Sequence, residues 1–206
     1  MKTSLKKPIL VFCGLLGTGK TFASIYAVRK LSGYTRFNTD DVRKLVGFKT
    51  FDRKDTPKVN EYMYSRAEKI LQDDKGIMFD SAYKLHEARE KLYEMARKNN
   101  TPLIVVECIC PPEVAIKRLM QRPGRDVSYG PTNKAEDYHE YVKLWEPIEG
   151  DFKHPHMNLI SYITLNTETY QIEIQKLGSE DAEIVRSAIK NLKAIFNKLS
   201  MDNCVV

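Results

Sequence analysis

Short apolar runs alternate with amphipathic stretches along most of this chain. Pro8-Ile9-Leu10-Val11-Phe12-Cys13 and the segment 103–109 are continuous apolar runs of the length that forms buried strands, and 34–38, 77–79 and 159–165 repeat the pattern. Helical periodicity fills the intervals. It spans 21–30 before Gly33, a short stretch running to Gly47, and 58–75, where Val59, Tyr62, Met63, Ala67, Ile70 and Leu71 form an apolar stripe. Further helices are expected over 84–98, from Pro111-Pro112-Glu113 onward, over 136–145, and over about 179–199 with Ser179 as its cap. Residues 171–176 alternate weakly and read as an edge strand. The alternation predicts an α/β protein, a parallel sheet with helices on both faces, built as one domain over 1–206.

The first strand runs directly into Gly14-Leu15-Leu16-Gly17-Thr18-Gly19-Lys20-Thr21, which fits G-x-x-x-x-G-K-[ST]. That pattern, placed between a strand and a helix, makes a phosphate-binding loop. Glycines let backbone N–H groups turn inward around a polyphosphate at the positive end of a helix, Lys20 reaches the β- and γ-phosphates, and Thr21 offers its hydroxyl to Mg²⁺. ATP with Mg²⁺ is the expected nucleotide, and the whole loop from Gly14 to Thr21 is expected to contact it.

Acids fall where neighbouring strands end. After the second strand comes Thr39-Asp40-Asp41-Val42-Arg43. Any of Thr39, Asp40 and Asp41 suits a helix cap, but beside a phosphate loop a carboxylate can also take the proton of an attacking hydroxyl. Arg43 lies one turn beyond Asp40, placed to hold an acceptor phosphate or to steady that carboxylate. Gly76-Ile77-Met78-Phe79-Asp80 is a strand ending in an acid that suits Mg²⁺, and Asp80 equally suits a cap on the helix at 84. Arg118, Arg122 and Arg125 lead through Pro123-Gly124 into a hinged segment, read as a small lid over about 122–135 that neutralises phosphate charge.

Composition adds limits rather than function. The 206 residues carry a net charge of +6, compatible with polyanions including ATP itself, and the cations are dispersed. No apolar run is long enough to cross a bilayer and the first seven residues lack a secretory pattern, so a cytoplasmic protein without a membrane partner is expected. The four cysteines have no metal-finger spacing, and His154 and His156 flank Pro155 without acid or thiol neighbours in sequence.

Taken together, the loop, Thr39 to Arg43, Asp80-Ser81 and the arginines 118–125 resemble the polynucleotide kinase and zeta-toxin branch of P-loop kinases, over about 8–147. The resemblance implies a P-loop three-layer sandwich with Lys20 and Thr21 on phosphate and Mg²⁺, and Asp40 as general base. It further implies Arg43 on the acceptor's phosphate, Arg122 bracing the transition state, and Asp80 as an acceptor-side or magnesium-linked acid, while Arg118 and Arg125 are expected near the nucleotide from the basic lid itself. Asp126-Val127-Ser128-Tyr129 departs from the zeta-type lid, which carries a further acid after the serine. The implied activity is transfer of the γ-phosphoryl of ATP to a hydroxyl, best a polynucleotide or nucleotide 5′-hydroxyl. Kinases of sugars, nucleotide sugars or antibiotics, and a non-kinase ATP-dependent switch, are the alternatives.

Overall fold

In the computed structural model, which describes residues 6–203 except 49, 51, 74 and 122–133, six strands form one sheet in the order β2-β3-β1-β4-β5-β6. The strands are β1 (Ile9–Cys13), β2 (Tyr34–Asn38), β3 (Gly76–Asp80), β4 (Leu103–Ile109), β5 (Ile160–Asn166) and β6 (Ile172–Lys176). The first five are mutually parallel, and β6 turns back antiparallel on β5. The apolar runs at 9–13 and 103–106 are buried on both faces because they occupy the middle of the sheet, where helices cover each side.

Helices α1 (Lys20–Lys30), α2 (Thr39–Leu45), α3 (Thr56–Gln72), α4 (His86–Lys98), α5 (Pro112–Met120), α6 (Ala135–Lys143) and α7 (Ala182–Asn203) complete the architecture. Alternation along β1 divides the core between the two layers. Ile9, Val11 and Cys13 face α3 and α4 through Met63, Leu92 and Tyr93, whereas Leu10 and Phe12 face α1 and α7 through Ala27, Leu192 and Phe196.

Several boundaries differ from expectation, those of the terminal helix and of α3 among them. The terminal helix begins at Ala182 rather than Ser179, because Asp181 takes φ 51° and the Glu180 N–H is drawn to the Asn158 carbonyl. Helix α3 stops at Gln72, three residues before the expected end.

A buried ion pair lies inside the α3–α4 layer. Arg89 of α4 is 0% exposed and Asp151, on the 3₁₀ turn Ile148–Lys153, 2%. The Asp151 carboxylate accepts from Arg89 Nε at 2.6 Å, Arg89 Nη2 at 2.7 Å and the Tyr93 hydroxyl at 2.6 Å, and pairs with His86 Nδ1 at 2.8 Å. Burial pushes its pKa up, but these bonds and the Arg89 charge outweigh burial and hold it below the usual 3.8. Asp151→Ala would strand a buried guanidinium and is expected to cost about 3–5 kcal/mol, read as a fall in melting temperature. Because the folded pKa is depressed, this contribution is present above the ordinary carboxylate value and lost as pH falls through the lowered one. Wild type should therefore lose stability on acidification more steeply than Asp151→Asn, measured by denaturant titration from pH 6 down to 2.

Candidate active site

The phosphate loop leaves the end of β1 and feeds α1. Gly14, Gly17 and Gly19 all have positive φ, at 134°, 75° and 81°. Gly17 shows why side chains are excluded: a Cβ there would lie 2.2 Å from the Ala115 carbonyl oxygen on α5. Leu15 and Leu16 pack beside Ala115, Leu119 and Tyr138, so the loop is fastened by its apolar residues as well as its backbone. Gly17→Ala is expected to force the loop off α5 and weaken binding of an ATP analogue by at least about tenfold, 1.4 kcal/mol, by calorimetry; unchanged affinity would show that the turn tolerates a side chain.

Lys20 opens α1 with its Nζ on the Leu15 carbonyl at 2.6 Å, spanning the loop where phosphate oxygens would sit, and the Thr21 hydroxyl lies in an exposed part of the same turn. Thr18 Oγ1 donates to the same carbonyl at 2.8 Å. From outside, Thr167 Oγ1 donates to the Thr18 carbonyl at 2.9 Å, and Arg118 donates to Thr167 Oγ1 at 2.9 Å and to its carbonyl at 3.1 Å. Arg118 is thus bonded to a brace of the loop. Arg122 and Arg125, with nearly all of the expected lid, lie outside the described residues.

Asp80 is buried at the tip of β3, 1% exposed. Its Oδ2 accepts from Ser24 Oγ at 2.8 Å, from Asn38 Nδ2 at 3.2 Å and from Arg36 Nη2 in a short ion pair, while Oδ1 has no hydrogen-bond partner among the described residues. The network ties α1, β2 and β3 together, and it shows that Asp80 does not cap α4. Two oxygen donors of the hard type that Mg²⁺ takes, Thr21 Oγ1 and Asp80 Oδ1, therefore suit the ion, although half of the acid is committed to Arg36. Among the described residues no group of three or more His, Cys, Asp or Glu is arranged to hold a metal.

Asp40 sits half-buried in the first turn of α2, at the carboxyl end of β2. The cap comes from Asn38, the last residue of the strand, whose Oδ1 accepts from the N–H groups of Asp40 at 3.0 Å and Asp41 at 3.1 Å. Neither Asp40 nor Asp41 serves as the cap, and the macrodipole of α2 favours their charge. Asp41 is 55% exposed and pairs with Arg36 at 2.9 Å. Residues Asn38, Asp80 and Phe12 stand level across three strands, so Asp40 and the phosphate loop share one rim, with two strand spacings, about 10 Å, between β2 and β1.

Arg43 had two expected places, on an acceptor phosphate or beside the Asp40 carboxylate, and it lies buried rather than open to an acceptor. It is 2% exposed, donates to the Asp52 carbonyl at 3.1 Å and to Thr56 Oγ1 at 3.3 Å, and lies 4.0 Å from Asp55 Oδ2. It holds the turn leading into α3. Sequence reasoning also passed over Arg36, Ser24 and Thr167. The signal for Arg36 was a charged residue in the middle of a strand, where a neighbouring acid is required; Ser24 and Thr167 gave none.

A parallel sheet in the order 2-3-1-4-5, a glycine loop from β1 into α1 and acids at adjoining strand tips define the P-loop kinase fold. Residues 9–144 match the AAA domain family AAA_33, and the chain belongs to that family. No curated protein matches it in sequence. Among solved structures it is similar to a chain of the Pnkp1/Rnl/Hen1 RNA repair complex, with 13% identity and a TM-score of 0.58 over 87% of this chain and 52% of that one. It therefore spans about half the length of that protein, and 44% of a chain from another structure of the Pnkp1/Rnl/Hen1 complex. Kti12 from Chaetomium thermophilum, in complex with ADP-AlF3, matches with 17% identity and a TM-score of 0.56, over 93% of this chain and 97% of that one. A sugar kinase from Janibacter sp. HTCC2649 matches with 17% identity and a TM-score of 0.52, over 92% and 98%. At these identities the likeness is one of fold. No helix among the described residues is long and apolar enough to cross a membrane.

Proposed function

We propose that the protein is an ATP-dependent phosphotransferase that moves the γ-phosphoryl group to a hydroxyl, with a polynucleotide or nucleotide 5′-hydroxyl as acceptor. The observation that carries this reading is the rim shared by the phosphate loop and Asp40, with the cap of α2 supplied by Asn38 instead of the acid. Asp40 accepts the proton of the acceptor hydroxyl, the oxygen attacks the γ-phosphorus in line, and the bond to the β–γ bridging oxygen breaks to release ADP. Lys20 leaves the Leu15 carbonyl for the phosphate oxygens and meets the charge that moves onto them. Thr21 and Asp80 are the residues that would hold Mg²⁺, which would supply charge neutralisation to the phosphates. Arg43 supports the acceptor corner from within by fixing the turn at 52–56.

The RNA repair complex and the net charge of +6 favour a nucleic acid, whereas the sugar kinase, matched over nearly its full length, favours a small polyol. Radiolabelled ATP offered with 5′-hydroxyl oligonucleotides, nucleosides and sugars separates them. Label on oligonucleotides is the expected result; label confined to sugars would replace the acceptor, and label on none would leave a nucleotide-dependent switch.

A further inference from the structure

Residues 81–83, between β3 and α4, touch three parts of the molecule in turn. Ser81 Oγ lies 3.2 Å from Thr39 Oγ1, the residue before Asp40, and the Ser81 N–H donates to the Phe12 carbonyl at 3.3 Å. The Ala82 carbonyl accepts from the N–H of Gly14, the first glycine of the phosphate loop, at 3.3 Å. The Tyr83 carbonyl accepts from Arg89 Nη1 at 2.9 Å. Three successive residues therefore reach the acceptor corner, the donor loop and the buried guanidinium held by Asp151.

Tyr83 has φ 45°, a left-handed conformation that an aromatic residue adopts only when its surroundings hold it there. Arg89 supplies that hold. Its Nε and Nη2 are fixed on Asp151, leaving Nη1 aimed at the Tyr83 carbonyl, and the Trp145 ring lies 5.9 Å from the guanidinium carbon. A second tie reinforces the first: the Glu146 N–H donates to the Lys84 carbonyl at 2.9 Å, and the Glu146 carboxylate accepts from the His86 N–H. Were Tyr83 to relax toward negative φ, the peptide that carries the Ala82 carbonyl would turn, and Gly14 and Ser81 would lose their common reference.

We infer that Arg89 and Asp151 are positioning residues for phosphoryl transfer: through the strained Tyr83 they set the spacing between the phosphate loop and the Asp40 corner. This rests on the phosphotransferase reading, but one of its consequences does not. If the clamp holds the loop, the Gly14 amide is protected from exchange by the Ala82 carbonyl, and loosening Arg89 exposes it whatever reaction the protein performs.

Arg89→Lys keeps a cation for Asp151 and lacks the forked geometry that reaches both Asp151 and Tyr83. For folded Arg89→Lys, with native circular dichroism, we expect kcat for transfer to fall about tenfold or more, KM for ATP and acceptor to stay within about twofold, and the Gly14 amide to exchange at least about tenfold faster by NMR. Should Arg89→Lys not fold, Tyr93→Phe removes one donor to Asp151 and little packing; kcat lowered about twofold with faster Gly14 exchange is then expected. A folded variant with native Gly14 exchange and native kcat overturns the inference and leaves the ion pair a stabilising element. If wild type transfers no phosphate to any acceptor, the phosphotransferase reading falls alone, and Gly14 exchange still decides whether the clamp sets the loop.

Discussion

Lys20→Met is expected to lower kcat for phosphoryl transfer by at least about 10²–10³-fold, the effect of deleting one pre-aligned charge beside the transferring group. Lys20 Nζ donates to the Leu15 carbonyl at 2.6 Å, so the cation spans the loop where phosphate oxygens would sit. Methionine has similar length and no charge. The loop should keep its shape, since the glycine torsions and the packing of Leu15 and Leu16 on α5 do not involve the ammonium group. Steady-state kinetics beside a thermal melt tests this: a melting temperature near wild type with kcat lost is expected, and retained kcat would remove Lys20 from the chemistry.

Asp40→Asn is expected to lower kcat by about 10²–10⁴-fold while ATP-analogue affinity stays within about threefold. The amide is nearly isosteric, and the helix start is secured by Asn38, so the loss is one of proton acceptance rather than of fold. The neighbouring Asp41→Asn provides the control. Its carboxylate is 55% exposed and bound to Arg36, and its replacement should change kcat by less than about threefold. ATP turnover unchanged in Asp40→Asn would favour a switch in which the acid plays no part.

Much of the fold was legible because the pattern that reveals a parallel sheet is crude. Runs such as 9–13 and 103–109 need only be apolar, and they became the two central strands. The phosphate loop was legible for another reason: its function requires particular residues at fixed spacing within one stretch of chain. What escaped depended on partners distant in sequence. Arg43 faces the turn at 52–56 because α3 packs against α2, a matter decided between helices. Arg36 meets an acid 44 residues away, and Asp151 is held by residues 58–65 positions earlier, so no local window shows that these charges neutralise one another inside the protein. The terminal helix also starts later than its composition suggests, at Ala182, directly after the left-handed Asp181.

The junction at Asn38 and Thr39 has no slack: the strand's final residue is also the helix's cap, and no linker separates the two elements. The direction of the first turn of α2 is set by this cap, through the Asn38 side chain on the Asp40 and Asp41 N–H groups. A single added residue between strand and helix would rotate everything downstream by about 100° and advance it by about 1.5 Å. The count of residues from strand tip to acid therefore decides which way Asp40 points from the rim.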